Sequence, residues 1–181
     1  METLDQLLAQ TELFAEQQLR QFNRLHPVFC WLGKDGPGMA VPAALTDEDD
    51  KNAFVSMSRL FCIANAATAC VTAVEAWIST KSPKEVMPSE DFDRKECVIL
   101  MGEDRVGAKH KMLPIVRSSN GNFFGFGEPK FSDGFFLTGR FTKILPSREP
   151  DIETQRLAQI AIELQCGRAK AKPPPKSRPR K

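Results

Sequence analysis

Apolar residues recur at helical spacing at the start of the chain, where Leu4, Leu7, Leu8, Phe14, Leu19, Phe22 and Leu25 fall largely on one stripe. Thr3 and Gln6 stand three apart in a capping-box pattern. The spacing therefore predicts an amphipathic helix over 4–25 that stops at His26-Pro27, because a residue before proline disfavours helical backbone angles. Val28-Phe29-Cys30-Trp31-Leu32 and Met39-Ala40-Val41 then flank a glycine-rich stretch, residues 33–38, and read as a hairpin with a loose turn. Thr46 is placed to cap a second helix. Its first turn, Asp47-Glu48-Asp49-Asp50, suits the positive end of the helix dipole, and Phe54, Met57, Phe61 and Ala64 repeat at helical spacing.

From Ala69 to Ser79 the residues are β-branched and aromatic without a helical stripe, which predicts a central strand. Residues 80–95, with Pro83, Pro88 and many charges, read as a long loop. An antiparallel meander follows: strands over 96–103 and 111–117, a turn at 104–109, a second turn at Ser118–Asn122 containing Asn120-Gly121, and phenylalanine-rich strands through Ile144. The last periodic segment, 151–165, puts Ile152, Leu157, Ile160, Ala161 and Leu164 on one face, and Gly167 stands where a helix C-terminus favours a left-handed residue. The element order predicts an α+β fold: a mainly antiparallel meander packed with about three helices in two layers, over one domain at 1–166.

Charge divides the chain. Its 181 residues sum to +2, but residues 167–181 carry seven basic side chains (Arg168, Lys170, Lys172, Lys176, Arg178, Arg180 and Lys181) and no acid. The remainder holds 18 basic against 23 acidic residues, a net charge of −5. With Pro173-Pro174-Pro175 and Pro179 and nothing apolar larger than alanine, 167–181 is expected to be a disordered basic tail. Such tails meet phosphates or an acidic partner surface, or serve solubility alone. No stretch reaches the apolar length of a bilayer span, and the first residues are acidic where a signal peptide is basic, so a cytoplasmic protein without a membrane role is expected. Cys30, Cys62, Cys70, Cys97 and Cys166, odd in number and set in apolar segments, read as reduced, buried thiols. Two histidines and no C-x-x-C give no basis for zinc, and no cofactor fingerprint is present.

Candidate chemistry is sparse. A turn centred near Val106 and Gly107 sets Cys97 opposite Val116 and His110 opposite Glu103, which separates the thiol from the imidazole by about 20 Å. The same register sets Glu96 opposite Arg117, a compatible cross-strand pair. Glu75 shares a face with Val71, Ala73 and Trp77, where a bare carboxylate is costly, so it is expected to find Arg94, Arg105 or Arg117 as a structural partner, with an acid/base role as the alternative. Asp91 and Asp93 form a D-x-D pair in the charged loop, a pattern that holds a cation only when other carboxylates converge on it. Phe124 and Phe126, spaced by Gly125, resemble the base-stacking strand of single-strand-binding sheets, although the basic residue that usually precedes it is replaced by Asn120-Gly121-Asn122. No residue is nameable as catalytic.

The combination Glu75-Ala76-Trp77, Pro88-Ser89-Glu90 and Asp93-Arg94-Lys95-Glu96 resembles a block in uncharacterised small proteins of phages and plasmids. The resemblance covers about 30 residues and implies a mobile-element accessory protein, a class that acts by binding and blocking or adjusting another protein. The expectation is a non-enzymatic binder that modulates or inhibits a protein partner with help from its basic tail. The alternatives are a nucleic-acid-binding regulator using the tail and the phenylalanine-rich sheet, and an enzyme with a carboxylate site near Glu75 and Asp91/Asp93.

Overall fold

The computed structural model describes residues 3–42, 45–78, 94–131 and 140–170. Among these residues three α-helices and seven β-strands follow the order α1 (Leu4–Phe22), β1 (Val28–Gly33), β2 (Gly36–Ala40), α2 (Glu48–Ala64), β3 (Ala69–Ile78), β4 (Lys95–Asp104), β5 (Ala108–Arg117), β6 (Phe123–Phe126), β7 (Lys130–Phe131) and α3 (Ile152–Lys170). The strands pair antiparallel in the order β2-β1-β3-β4-β5-β6, with β7 also on β5. The α+β class and its meander are thus observed. The charged loop with Asp91 and Asp93, the Pro88-Ser89-Glu90 segment and the tail beyond Lys170 lie outside the described residues.

Helix α1 forms where its cap and stripe predict. The Thr3 hydroxyl accepts from the Gln6 backbone N–H, and the Gln6 side chain accepts in return from the Thr3 N–H at 2.8 Å. It ends at Phe22, three residues earlier than expected, and the left-handed backbone of its C-cap Asn23 (φ 58°) turns the chain before Pro27 comes into play. Leu4, Leu7, Leu8, Ala15 and Leu19 are buried against Val28, Val71, Ala73, Val98, Leu100 and Leu113 on one face of the sheet. Each leucine contributes about 2 kcal/mol on area grounds. Gly102 lets the helix approach this closely, since a Cβ there would lie 3.0 Å from a Leu4 methyl.

The opposite face is covered by α2. Its cap is Asp47, one residue later than expected, which accepts from the Asp50 N–H at 2.8 Å, while Thr46 donates its own N–H and hydroxyl to the Asp50 carboxylate. Phe54 and Cys62 pack with Phe29, Trp31, Cys70 and Ile144. Trp31 stacks on Phe61 with ring centroids 4.8 Å apart and lies across Gly38, where a Cβ would fall 2.3 Å from the indole. The expected loose turn of this hairpin is a two-residue loop, Lys34-Asp35, closed by the Gly33–Gly36 pair with Gly36 at φ 111°. Helices therefore sit on both faces, one layer more than the two expected.

Helix α3 packs on α2 through Ala158 and Ile162. It runs through Lys170, so Gly167 lies inside it and does not end it. Leu157, Ile160 and Leu164, on the face marked apolar by sequence spacing, are exposed. Cys166 is also exposed, contrary to the expectation of five buried thiols; the other four are buried and all are unpaired.

Candidate functional site

Strand alternation gathers Glu75, Glu96 and Arg117 at one end of the α1-facing side of the sheet. Register pairs Trp77 with Glu96 and Glu75 with Val98. The hairpin of β4 and β5 pairs Cys97 with Pro114 and Glu103 with Ala108, two residues away from the expected register. The cause is Asp104: its carboxylate accepts from the Val106 and Gly107 N–H groups at 2.8 Å each, which tightens the turn to Arg105-Val106. Glu96 and Arg117 consequently meet on the diagonal and not face to face, with Arg117 Nε 2.5 Å from Glu96 Oε2.

Arg117 is the hub of this cluster. Beyond Glu96 it reaches Glu75 Oε1 at 3.6 Å and the Asn23 side-chain oxygen at 2.7 Å. Asn23 in turn accepts from the Phe123 N–H at 2.8 Å and donates to the Gly121 carbonyl at 3.2 Å. The other oxygen of Glu75 accepts from the Leu25 N–H at 2.9 Å. One guanidinium thus joins two carboxylates, the end of α1 and the turn between β5 and β6. Arg94, another partner considered for Glu75, instead lies over the Trp77 ring, 3.4 Å from its centroid. Arg105 faces away, pairing with Glu149 at 3.3 Å.

Chemically the cluster holds polar groups in place. Burial, assisted by the nearby Glu75 carboxylate, pushes the Cys97 thiol up to about 11, far from a thiolate nucleophile at neutral pH. His110 pairs with Met101, so it stands about 13 Å along the strand from Cys97, nearer than expected but out of reach. Burial also lowers the pKa of His110, against a weaker pull from Glu103, and its Nδ1 is buried without a hydrogen-bond partner among the described residues. Among the described residues no group of three or more histidine, cysteine, aspartate or glutamate side chains converges as a metal site.

Phe124 and Phe126 do not share a face. The register slips between Val116 and Arg117, so that Arg117 pairs with Phe123 and Val116 with Gly125, leaving Phe124 as the extra residue of a bulge. Phe126 turns inward, edge-on to Phe123 with centroids 5.2 Å apart, and packs against the core. Phe124 remains 71% exposed, a single ring without its expected companion. Of the basic residues at the C-terminus, Arg168 and Lys170 fall within α3, and Lys172, Lys176, Arg178, Arg180 and Lys181 lie outside the described residues.

Two features escaped sequence reasoning. Glu103, nearly buried, accepts from three successive backbone N–H groups, those of Lys143, Ile144 and Leu145, at 2.5, 3.0 and 3.2 Å. Nothing in the spacing of a lone glutamate 40 residues upstream announces that contact. The second is the outward stripe of α3, which has the periodicity of a core face and the exposure of a surface: Leu157 is 61% and Leu164 58% accessible. No protein-family model, no curated protein and no solved structure matches this chain.

Proposed function

We propose that the protein is a non-enzymatic binding module of the accessory kind carried by phages and plasmids, which modulates a partner protein by docking through α3. The observation that carries this reading is the apolar stripe of Leu157, Ile160 and Leu164, which faces away from the α2 contact made by Ala158 and Ile162. An i, i+3, i+7 stripe on an exposed helix is the anchor pattern that fits a hydrophobic groove. Charge selects the partner's chemistry. The stripe leads straight into the segment with seven basic residues and no acid, so the complementary surface is an apolar groove with an acidic border.

The test uses the full-length protein carrying Leu157→Ser and Leu164→Ser. These side chains are exposed, so the thermal midpoint should move by no more than about 2 °C. Capture of one stoichiometric partner, identified by mass spectrometry and then reconstituted from purified components, should weaken at least about tenfold, the usual cost of losing two apolar anchors. Unchanged affinity in the double variant would remove α3 as the docking surface. Dimerisation of the wild type that the variant abolishes would assign the stripe to a second copy of this chain.

The second reading, a nucleic-acid-binding regulator, is favoured by the uninterrupted positive charge of 168–181. The split of Phe124 from Phe126 leaves the sheet with one exposed ring there, so charge carries that reading. An enzymatic reading would have to recruit Glu75, whose two oxygens are engaged by Arg117 and by the Leu25 backbone.

A further inference from the structure

We infer that the groove between α2, the β4–β5 hairpin and residues 140–147 is a binding site for a small molecule bearing two or more phosphoryl charges. The groove, open to solvent on one side, offers about 1200 Å³, room for a nucleotide-sized molecule. Three separate stretches of chain each bring cations to it: Arg59 from α2, Arg105 from the hairpin, and Arg140 and Lys143 from the last segment. Such convergence from distant sequence positions is unexpected in a body whose net charge outside the C-terminal segment is −5. It is also distinct from α3 and its stripe, so this inference stands apart from the docking proposal.

The acids that border the groove are already occupied. Glu103 accepts its three backbone N–H groups, and Asp104 accepts two more in the hairpin turn. Both carboxylates thereby serve the backbone, and neither forms an ion pair with a cation of the groove among the described residues. Arg59 and the Lys143 ammonium have no ion-pair partner among the described residues. Arg105 pairs with Glu149 and Arg140 with Glu48, and both acids are about two-thirds exposed. Exposed pairs of this kind are weak and readily exchanged for a phosphate, whose geometry matches the guanidinium fork.

The groove is also built, and not merely lined. Lys143 has a left-handed backbone at φ 57°, an uncommon state for a residue with a Cβ. Glu103 holds it there by accepting its N–H. Such a conformation costs about 1 kcal/mol or more and concentrates at ligand sites. Val55, Leu145 and Pro146 supply an apolar wall on which the organic part of a phosphate ester can rest, and His110, with its unpartnered Nδ1, borders the same space.

Inorganic pyrophosphate and ATP, titrated calorimetrically into the full-length protein at physiological salt, test the assignment. Binding of both is expected, with at least about tenfold weakening in Arg59→Ala/Lys143→Ala, two exposed positions whose loss leaves the fold intact. A second full-length variant, with Lys172, Lys176, Arg178, Arg180 and Lys181 changed to glutamine, is expected to bind as the wild type does. No binding by the wild type, or equal binding by Arg59→Ala/Lys143→Ala, overturns the site. Loss in the glutamine variant places the phosphate contact in the C-terminal segment and also overturns it. A single-stranded oligonucleotide that binds the wild type and is weakened by Arg59→Ala/Lys143→Ala, while pyrophosphate and ATP do not bind, overturns the small-molecule assignment in favour of nucleic acid.

Discussion

Glu103 shows how one carboxylate can organise a segment without regular structure. Its side chain lies under residues 143–145 and replaces the hydrogen bonds that a strand or helix would otherwise give their N–H groups. Removing it leaves three donors unanswered in a part-buried setting. Glu103→Ala is therefore expected to lower unfolding free energy by about 3 kcal/mol, read from the urea midpoint at constant m-value. It should also loosen the groove, because Lys143 loses the acceptor that holds its left-handed backbone. Arg117 plays a comparable part at the other end of the sheet. It is the one of the three arginines offered to Glu75 by the sequence that reaches it, and it keeps the expected partnership with Glu96 through a different geometry: the diagonal pairing holds Glu96 and Arg117 on one face even with the register displaced. Alternation survives a two-residue slip, whereas facing partners do not.

At the level of elements, legibility followed how local the determinants are. Helix α1 could be read because its cap and stripe lie within its own 20 or so residues, although its stop is the left-handed Asn23 and not the expected His26-Pro27. The register of β4 against β5 could not, since it hangs on the Asp104 side chain capturing two N–H groups of the turn. The bulge at Phe124 likewise depends on the strand opposite, and it divides two phenylalanines that sequence alternation had joined. Helix α3 is the most instructive. Sequence periodicity gave a correct apolar stripe but no information on which side the rest of the molecule stands, and α2 takes the narrower face of Ala158 and Ile162. This arrangement makes a clear contrast in stability. Ala158→Asp, which puts a charge into the α2 contact, is expected to cost about 2 kcal/mol or more in thermal or urea unfolding, whereas charges at the outward stripe should cost little.

The whole molecule combines a negatively charged body, a locally basic groove and a strongly basic C-terminal segment. No helix among the described residues is long and apolar enough to cross a membrane. These charges give the two functional readings different salt responses. Binding of a labelled oligonucleotide through 168–181 should fall by orders of magnitude between about 50 and 200 mM KCl, as each neutralised phosphate releases counterions, and fluorescence anisotropy would record it. Docking through the apolar stripe should weaken by less than about tenfold over the same range, because salt screens the basic segment and leaves apolar burial intact. A partner complex that dissolves as steeply as the oligonucleotide complex would show that charge, and not α3, holds it.

The short hairpin at the start of the sheet bears on how such a molecule meets others. Among the described residues strand β2 has a neighbour on one side only, and Pro37 within it supplies no N–H between two glycines. The row of donors along that rim is interrupted, which makes it a poor template for a strand from another chain. Growth into edge-to-edge stacks is discouraged there, and a partner seeking to extend the sheet finds little to grip. Recognition at that end of the molecule is left to side chains, which can discriminate between partners, and is denied to backbone pairing, which cannot.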